Sequence, residues 1–101
     1  MAEIKKIGRF EGIFQSPKNG SKVTSLIILL HGWGADASDM FGLAPILSQI
    51  RAGCGFYAPN APSTCSASPL GREWFDIQEG EKGAMMAFDD VNELIQGALD
   101  E

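Results

Sequence analysis

The feature that most constrains the fold of this chain is an unbroken apolar run, Leu26 to Leu30, which leads directly into His31, Gly32, Trp33 and Gly34. The run is too short for a helix and is typical of a strand buried on both faces, in a parallel or mixed sheet covered by helices. The glycines that follow allow backbone conformations closed to other residues and let a ligand approach closely. We therefore expect exposed N–H groups at the carboxyl end of a central strand, where open α/β sheets bind their ligands.

Composition limits the protein to one small globular domain. The chain has 101 residues, of which 45% are apolar, and a net charge of −5. No Lys/Arg stripe suits nucleic acid, no apolar run approaches the length of a membrane span, and no secretory signal is visible. The two cysteines, Cys54 and Cys65, are expected to be reduced thiols rather than a disulfide or a metal site. The expected location is cytoplasmic.

The flanking segments predict an α/β arrangement. Residues 9–15 alternate loosely and precede a stretch of turn formers, which predicts a hairpin whose second arm is the apolar strand. Apolar residues then recur at helical spacing over 40–50, after N-cap residues, and Pro45 predicts either a kink or two short helices. Residues 53–58 predict the next strand, reached by a right-handed crossover.

Residues 59–80 predict a long irregular segment, packed by the aromatic pair Trp74 and Phe75. Within it, Arg72, Glu73 and Asp76 are expected to form a local charge network that fixes the loop.

A final amphipathic helix is predicted from Lys82 to Glu101, and it lacks a glycine cap or a basic last turn. The expected core stripe of this helix consists of Ala84, Phe88, Val91, Ile95 and Ala98, broadened by Met85, Leu94 and Leu99. Gly97 is expected to be the weak point of the helix. With so few central strands, the sheet would keep an open edge and an uncovered face.

Four motifs, in this order, closely resemble the phospholipase/carboxylesterase family of α/β hydrolases, which includes the acyl-protein thioesterases. They are LLHGWGADASDM at 29–40, LAP at 43–45, APNAP at 58–62 and GREWFD at 71–76. The resemblance implies that residues 1–101 are the amino-terminal part of an α/β-hydrolase domain. It also implies a Ser-Asp-His triad in that chain order, no cofactor, and carboxylic ester or thioester substrates.

The nucleophile of that family lies in a Gly-x-Ser-x-Gly elbow on the strand after the helix that here reaches Glu101. None of the serines in this sequence has glycines at both positions two residues away. The resemblance therefore predicts a partial domain, truncated before the nucleophile elbow, which lacks the triad and is inactive alone.

The resemblance also suggests roles for residues around the glycine-rich turn. An oxyanion hole takes one N–H from the loop after the first central strand, and here the match is the backbone N–H of Trp33, with Gly32 and Gly34 shaping the loop. His31 is expected to hold that loop by hydrogen bonds to backbone. Trp74 is expected near the substrate groove, either in contact with substrate or packing the long loop.

Three hypotheses follow from the sequence. In the first, the chain is a segment of a serine carboxylesterase or acyl thioesterase that a longer chain or a complementing second polypeptide completes. In the second, it is a non-catalytic remnant that self-associates or binds a partner through its open sheet edge. The third makes it an interaction module that uses its acidic terminal helix.

Overall fold

A computed structural model describes residues 2–20, 22–23, 25–66 and 70–99 of the chain. Its main feature is a four-stranded mixed sheet formed by β1 (Ala2–Ile7), β2 (Phe10–Gln15), β3 (Leu26–Ile28) and β4 (Gly55–Pro59). The strand order is β1-β2-β4-β3. β2 pairs antiparallel with both β1 and β4, whereas β3 pairs parallel with β4. The parallel pair confirms the prediction of a mixed sheet built around the apolar run.

The prediction that residues 9–15 form a hairpin with the apolar strand is wrong. β2 forms its hairpin with β1, through a tight turn in which Gly8 has a φ of 60°, and its other neighbour is β4 rather than β3. The turn formers after residue 15 instead form a local turn, in which the Gly20 N–H donates to the Pro17 carbonyl at 3.0 Å, and the Asn19 N–H donates to the Ala52 carbonyl at 3.3 Å. Local turn signals show where a chain reverses but not which strand lies beside it, because strand pairing depends on distant residues.

β4, and not β3, is the strand buried on both faces. All five residues of β4 are buried, whereas Leu26 to Ile28 of β3 are only half-buried at the sheet edge. Side chains of successive β4 residues point to opposite faces. Phe56 and Ala58 pack with Leu29 into one core, while Tyr57 packs into the other.

Two short helices cover the first core. These are α1 (Ala37–Phe41) and α2 (Ala44–Ile50), as the position of Pro45 predicts. Asp36 caps α1 in a reciprocal capping box with Asp39, and Pro45 lies in the first turn of α2, where a missing N–H costs nothing.

The predicted irregular segment contains a second, two-stranded antiparallel sheet, β5 (Ser63–Thr64) with β6 (Arg72–Glu73), followed by a 3-10 helix over Ile77–Glu79. The last helix, α3 (Gly80–Leu99), begins two residues before the predicted start. Its predicted end at Asp100 and Glu101 lies outside the described residues. Within the described residues, no helix combines the length and the hydropathy that a membrane crossing requires.

The face that α3 buries matches the predicted stripe only in part. Leu94 is fully buried against Ile7 and Phe10, whereas Phe88 is 66% exposed and Ile95 is 39% exposed. The buried face also contains Gly83, where an added Cβ would lie 2.7 Å from the ring of Phe75. The helix therefore approaches its neighbours through small residues, which the apolar stripe did not indicate.

Candidate functional site

The loop from residue 31 to residue 35 lies beyond the carboxyl end of β3 and is held by the backbone of β6. The Gly34 N–H donates to the Arg72 carbonyl at 3.0 Å, and the Arg72 N–H donates to the Ala35 carbonyl at 2.8 Å. Within the loop, the Ala35 N–H donates to the Gly32 carbonyl at 3.2 Å. The glycine-rich turn predicted from the sequence is therefore a loop pinned from the side by a short strand.

Two glycines make this close contact possible. Gly34 has a φ of 82°, in the left-handed region where a side chain would be strained. At Gly71, an added Cβ would fall within 3 Å of three Gly34 backbone atoms, with the Cα at 2.9 Å. Gly32 differs, since its φ is not positive and an added Cβ would meet nothing within 4 Å. The fold thus requires glycine at 34 and 71, but not at 32.

His31 is 3% exposed and uses both ring nitrogens. The Ala61 N–H donates to Nε2 at 2.9 Å, and Nδ1 lies 2.7 Å from the Gly32 carbonyl oxygen. Because Nε2 accepts a hydrogen bond, the proton of the neutral ring is on Nδ1, which donates to Gly32. The imidazole joins the loop to the segment after β4, and neither nitrogen is available to a substrate.

Trp74 is fastened to the same loop. Its indole Nε1 donates to the His31 carbonyl at 3.1 Å, and its ring centroid lies 5.7 Å from that of His31 and 6.4 Å from that of Phe10. The side chain is half-buried and packs against the second core. These contacts match the packing alternative for Trp74, and contact with a substrate stays a prediction.

The indole of Trp33 is held by a hydrogen bond, although the residue is 42% exposed. Its Nε1 donates to Oε1 of Glu73 at 3.2 Å. The same oxygen accepts from the Ser66 N–H at 2.9 Å and from the Ser66 hydroxyl at 3.0 Å. Donation from the Ser66 backbone, and to a lesser extent from the Ser66 and Trp33 side chains, lowers the pKa of Glu73 below its ordinary value, although burial opposes this.

The backbone N–H groups of Gly32 and Trp33 stand apart from those that follow. Among the described residues, neither group has a hydrogen-bond acceptor, whereas the N–H groups of Gly34 and Ala35 are both used. Residues 32 and 33 are also exposed. The loop thus presents two neighbouring donors at its surface, and the open space over Gly32 leaves room for an acceptor from a ligand.

The residues expected to form a charge network do fix loops, but not by pairing with each other. Arg72 donates from Nε to the Ala61 carbonyl at 2.6 Å and from Nη2 to the Pro62 carbonyl at 3.1 Å. Asp76 accepts from the Gln78 N–H at 3.0 Å and caps the 3-10 helix. The expected network is therefore wrong, because the nearest partners of these side chains are backbone groups and neutral side chains.

Sequence reasoning missed the role of Asn60. Its Oδ1 accepts from the Ala37 N–H at 2.8 Å, and its own N–H donates to the Glu11 carbonyl at 2.8 Å. Asn60 thereby ties the end of β4 to the start of α1 and to β2. The signal was its place in the APNAP motif, where an amide between prolines favours a loop connection.

Comparisons with known proteins agree with this architecture. Residues 13–101 match the model of the Phospholipase/Carboxylesterase family. The fold is also similar to the crystal structure of esterase PE8, with a TM-score of 0.69 and 32% identity. That match covers 77% of this chain and 39% of esterase PE8, so the chain spans well under half the length of that esterase. These matches, together with the loop after β3, show that the chain belongs to the phospholipase/carboxylesterase family.

Proposed function

We propose that this chain supplies the oxyanion-hole loop of a serine hydrolase that cleaves carboxylic esters or thioesters. The observation that carries the proposal is the backbone N–H of Trp33, an exposed residue, which has no acceptor among the described residues, in a loop whose next two N–H groups are both engaged. When a nucleophile attacks an ester carbonyl, the oxygen becomes an oxyanion, and rigid N–H donors aimed at it lower the barrier. An N–H held in place by its neighbours meets that need.

The surrounding residues have supporting roles in this proposal. Gly34 gives the loop its turn, and Gly32 leaves the space through which a carbonyl oxygen can approach. His31 holds the loop through its two ring nitrogens and does not transfer protons. Trp74 fixes the carbonyl of His31, and the remaining exposed part of its ring could line the acyl side of the groove.

The proposal requires a nucleophile, an acid and a base from outside residues 1–101, since no serine here lies in a Gly-x-Ser-x-Gly elbow. We therefore propose that a complementing segment, in a longer chain or a second polypeptide, completes the site. Among the described strands, β3 lies at the edge of the sheet, where the outer backbone groups of a strand can pair with a further strand. Large apolar side chains are exposed on α3, namely Met85, Met86, Phe88 and Leu99.

The first test is the intact mass of the native polypeptide from its source cells, before and after treatment with a fluorophosphonate. We expect the label on a species heavier than 10.8 kDa, or on a second chain that co-purifies with this one. The labelled preparation should also hydrolyse a short-chain aryl ester before treatment and not after it. An unlabelled 10.8 kDa species without a hydrolase partner would refute the enzymatic proposal.

The second test removes the proposed donor. Trp33→Pro deletes the backbone N–H, and Gly32 before it has no Cβ to clash with the proline ring. In the reactive assembly, we expect kcat to fall by about 10²- to 10³-fold, as for loss of one oxyanion-hole donor. Trp33→Phe is the comparison variant, because it keeps the backbone N–H and an aromatic ring and removes only the indole N–H, and we expect a smaller loss than for Trp33→Pro. Equal losses in the two variants would contradict the role of the backbone N–H.

The alternative is a chain that does no catalysis and that self-associates or binds a partner through the open edge of β3 and the acidic terminal helix. The exposed apolar residues of α3 favour it equally, since such surfaces often mark interaction sites. Concentration-dependent association of an unlabelled 10.8 kDa species would support this alternative. For either function we propose a cytoplasmic location, with which the free thiols of Cys54 and Cys65 are compatible.

A further inference from the structure

The side chain of Glu73 is an unusual feature of the site, because a residue of this type is rarely buried without a cationic partner. It is 7% exposed, and a single oxygen, Oε1, accepts hydrogen bonds from Trp33 Nε1, the Ser66 N–H and the Ser66 hydroxyl. No ion pair to Glu73 exists among the described residues. The carboxylate therefore binds neutral donors only, from two separate loops.

We infer that Glu73 is a positioning residue, which sets the direction of the proposed oxyanion donor by holding the indole of Trp33. The inference rests on the proposed function and goes further, since nothing in the family motifs assigns a role to a carboxylate at this position.

Trp33 needs such a tether. It lies between Gly32 and Gly34, which restrict the backbone less than other residues do. The hydrogen bond from Gly34 to Arg72 holds the chain after Trp33, and the His31 ring holds the Gly32 carbonyl before it. The peptide plane that contains the Trp33 N–H is held at one end by the bonds to the Gly32 carbonyl, and the indole bond to Glu73 holds the Trp33 side chain at the other end.

Glu73 is itself well fixed. It lies in β6, which pairs with β5. The other residue of β6, Arg72, forms backbone hydrogen bonds with both Gly34 and Ala35. Ser66 follows β5 closely and supplies a backbone and a hydroxyl donor. One short strand therefore holds the loop twice, by its backbone at residues 34 and 35 and by a side chain at Trp33. Hydrogen bonds to a charged acceptor are stronger than neutral ones, which suits a tether.

The test in the fluorophosphonate-reactive native assembly compares three variants. For Glu73→Ala we expect kcat to fall by about 10- to 100-fold with little change in KM, since misplacing a catalytic group affects the transition state most. Glu73→Gln keeps an oxygen at the Oε1 position as a neutral acceptor, and it should rescue kcat to within about 5-fold of wild type. Glu79→Ala removes an exposed carboxylate from the nearby 3-10 helix and should leave both constants unchanged.

A double-mutant cycle identifies the partner. In a Trp33→Phe background the indole N–H is gone, so Glu73→Ala should cost less than one third of the loss in kcat that it causes in wild type, because coupled residues are not additive. Full additivity, or failure of Glu73→Gln to rescue, would overturn the positioning role. Either result, obtained in an assembly that is labelled and active, would refute the positioning role of Glu73 but not the proposed function.

The 101-residue chain provides a readout that is independent of activity. In a 15N spectrum the two indole N–H signals, assigned with Trp33→Phe and Trp74→Phe, report each tether separately. Glu73→Ala should shift the Trp33 signal and accelerate its hydrogen exchange, while the Trp74 signal, whose acceptor is the His31 carbonyl, should move much less. The tether is refuted if Glu73→Ala leaves the Trp33 indole signal unchanged. It is also refuted if that signal already has the chemical shift of an unfolded tryptophan in the wild-type chain. Absence of fluorophosphonate labelling with a responsive Trp33 signal would instead refute the proposed function.

Discussion

Adding one methyl group should destabilise the chain at Gly71 and have little effect at Gly32. This contrast tests the geometry of the loop directly. An added Cβ at Gly71 would lie within 3 Å of Gly34 backbone atoms, with the Cα at 2.9 Å. Neither side of this contact is a flexible side chain, so the two backbones must separate. At Gly32, the same methyl group would meet nothing within 4 Å, and φ is not positive.

The cost at Gly71 follows from the hydrogen bonds on either side of the contact. Separation by roughly 1.5 Å would be needed to restore an ordinary van der Waals distance to the Gly34 carbonyl oxygen, the nearest atom. The bonds from Gly34 to Arg72 and from Arg72 to Ala35, at 3.0 and 2.8 Å, would then exceed the hydrogen-bonding range. Losing two such bonds costs about 1–3 kcal/mol, which is also the range for overpacking. Gly71→Ala should therefore lower Tm by about 4–24 °C in a domain of this size.

Gly32→Ala should change the free energy of unfolding by less than about 0.5 kcal/mol, as a substitution at an exposed and unstrained position does. Urea unfolding followed by far-ultraviolet circular dichroism would measure both variants against wild type, provided that the m-values agree. Equal destabilisation by the two substitutions, or a stable Gly71→Ala variant, would refute the close approach of residues 34 and 71.

Three further predictions concern the packing and the charges. Leu94→Ala should destabilise the chain by about 2–5 kcal/mol, whereas Phe88→Ala should cost less than about 1 kcal/mol because Phe88 is 66% exposed; the reverse order would contradict this assignment of the buried face. Asp36→Ala should cost about 1 kcal/mol in thermal unfolding, through loss of the α1 cap, and Asp36→Asn should cost less. The pKa of Glu73 is lowered in the folded state from an ordinary value of 4.5, so its stabilisation is present above that pH and is lost as pH falls through the folded pKa. Below about pH 4.5, wild type should therefore lose stability more steeply than Glu73→Gln, and parallel pH profiles would contradict this.

The elements near the loop were predictable because their signals are local. The apolar run before His31, the capping residues at Asp36 and the break at Pro45 each depend on neighbours within a few residues. The partner of β2 was not predictable in this way, since it is chosen by residues more than forty positions away. Gly12 was a sequence signal for the pairing of β2 with β4, because a glycine inside a strand often marks the close approach of another backbone. An added Cβ at Gly12 would lie 2.6 Å from the Pro59 Cα.

The buried face of α3 shows a second limit of prediction from sequence. Helical spacing identifies apolar stripes but does not rank two stripes that overlap. Here the neighbours select the face with the small residues, since an added Cβ at Gly97 would lie 2.8 Å from a methyl group of Ile7. Phe88 and Met85 remain exposed, whereas Leu94 is buried on the face with the small residues. A glycine within an apolar helix was therefore better evidence of a contact than of a weak point.

The proposed oxyanion loop is held mainly by residues of this chain, which has a consequence for how the active site would form. His31 bonds to Ala61, Gly34 bonds to Arg72 and Trp33 bonds to Glu73, so three separate contacts hold the loop to segments that follow β4. None of these contacts requires a nucleophile to be present. An oxyanion hole must be rigid before charge develops, because reorganising donors during the reaction would forfeit the stabilisation. We therefore expect the loop to have the same hydrogen bonds in the 101-residue chain and in a complete hydrolase, so that completing the site adds the reacting groups to donors already in place.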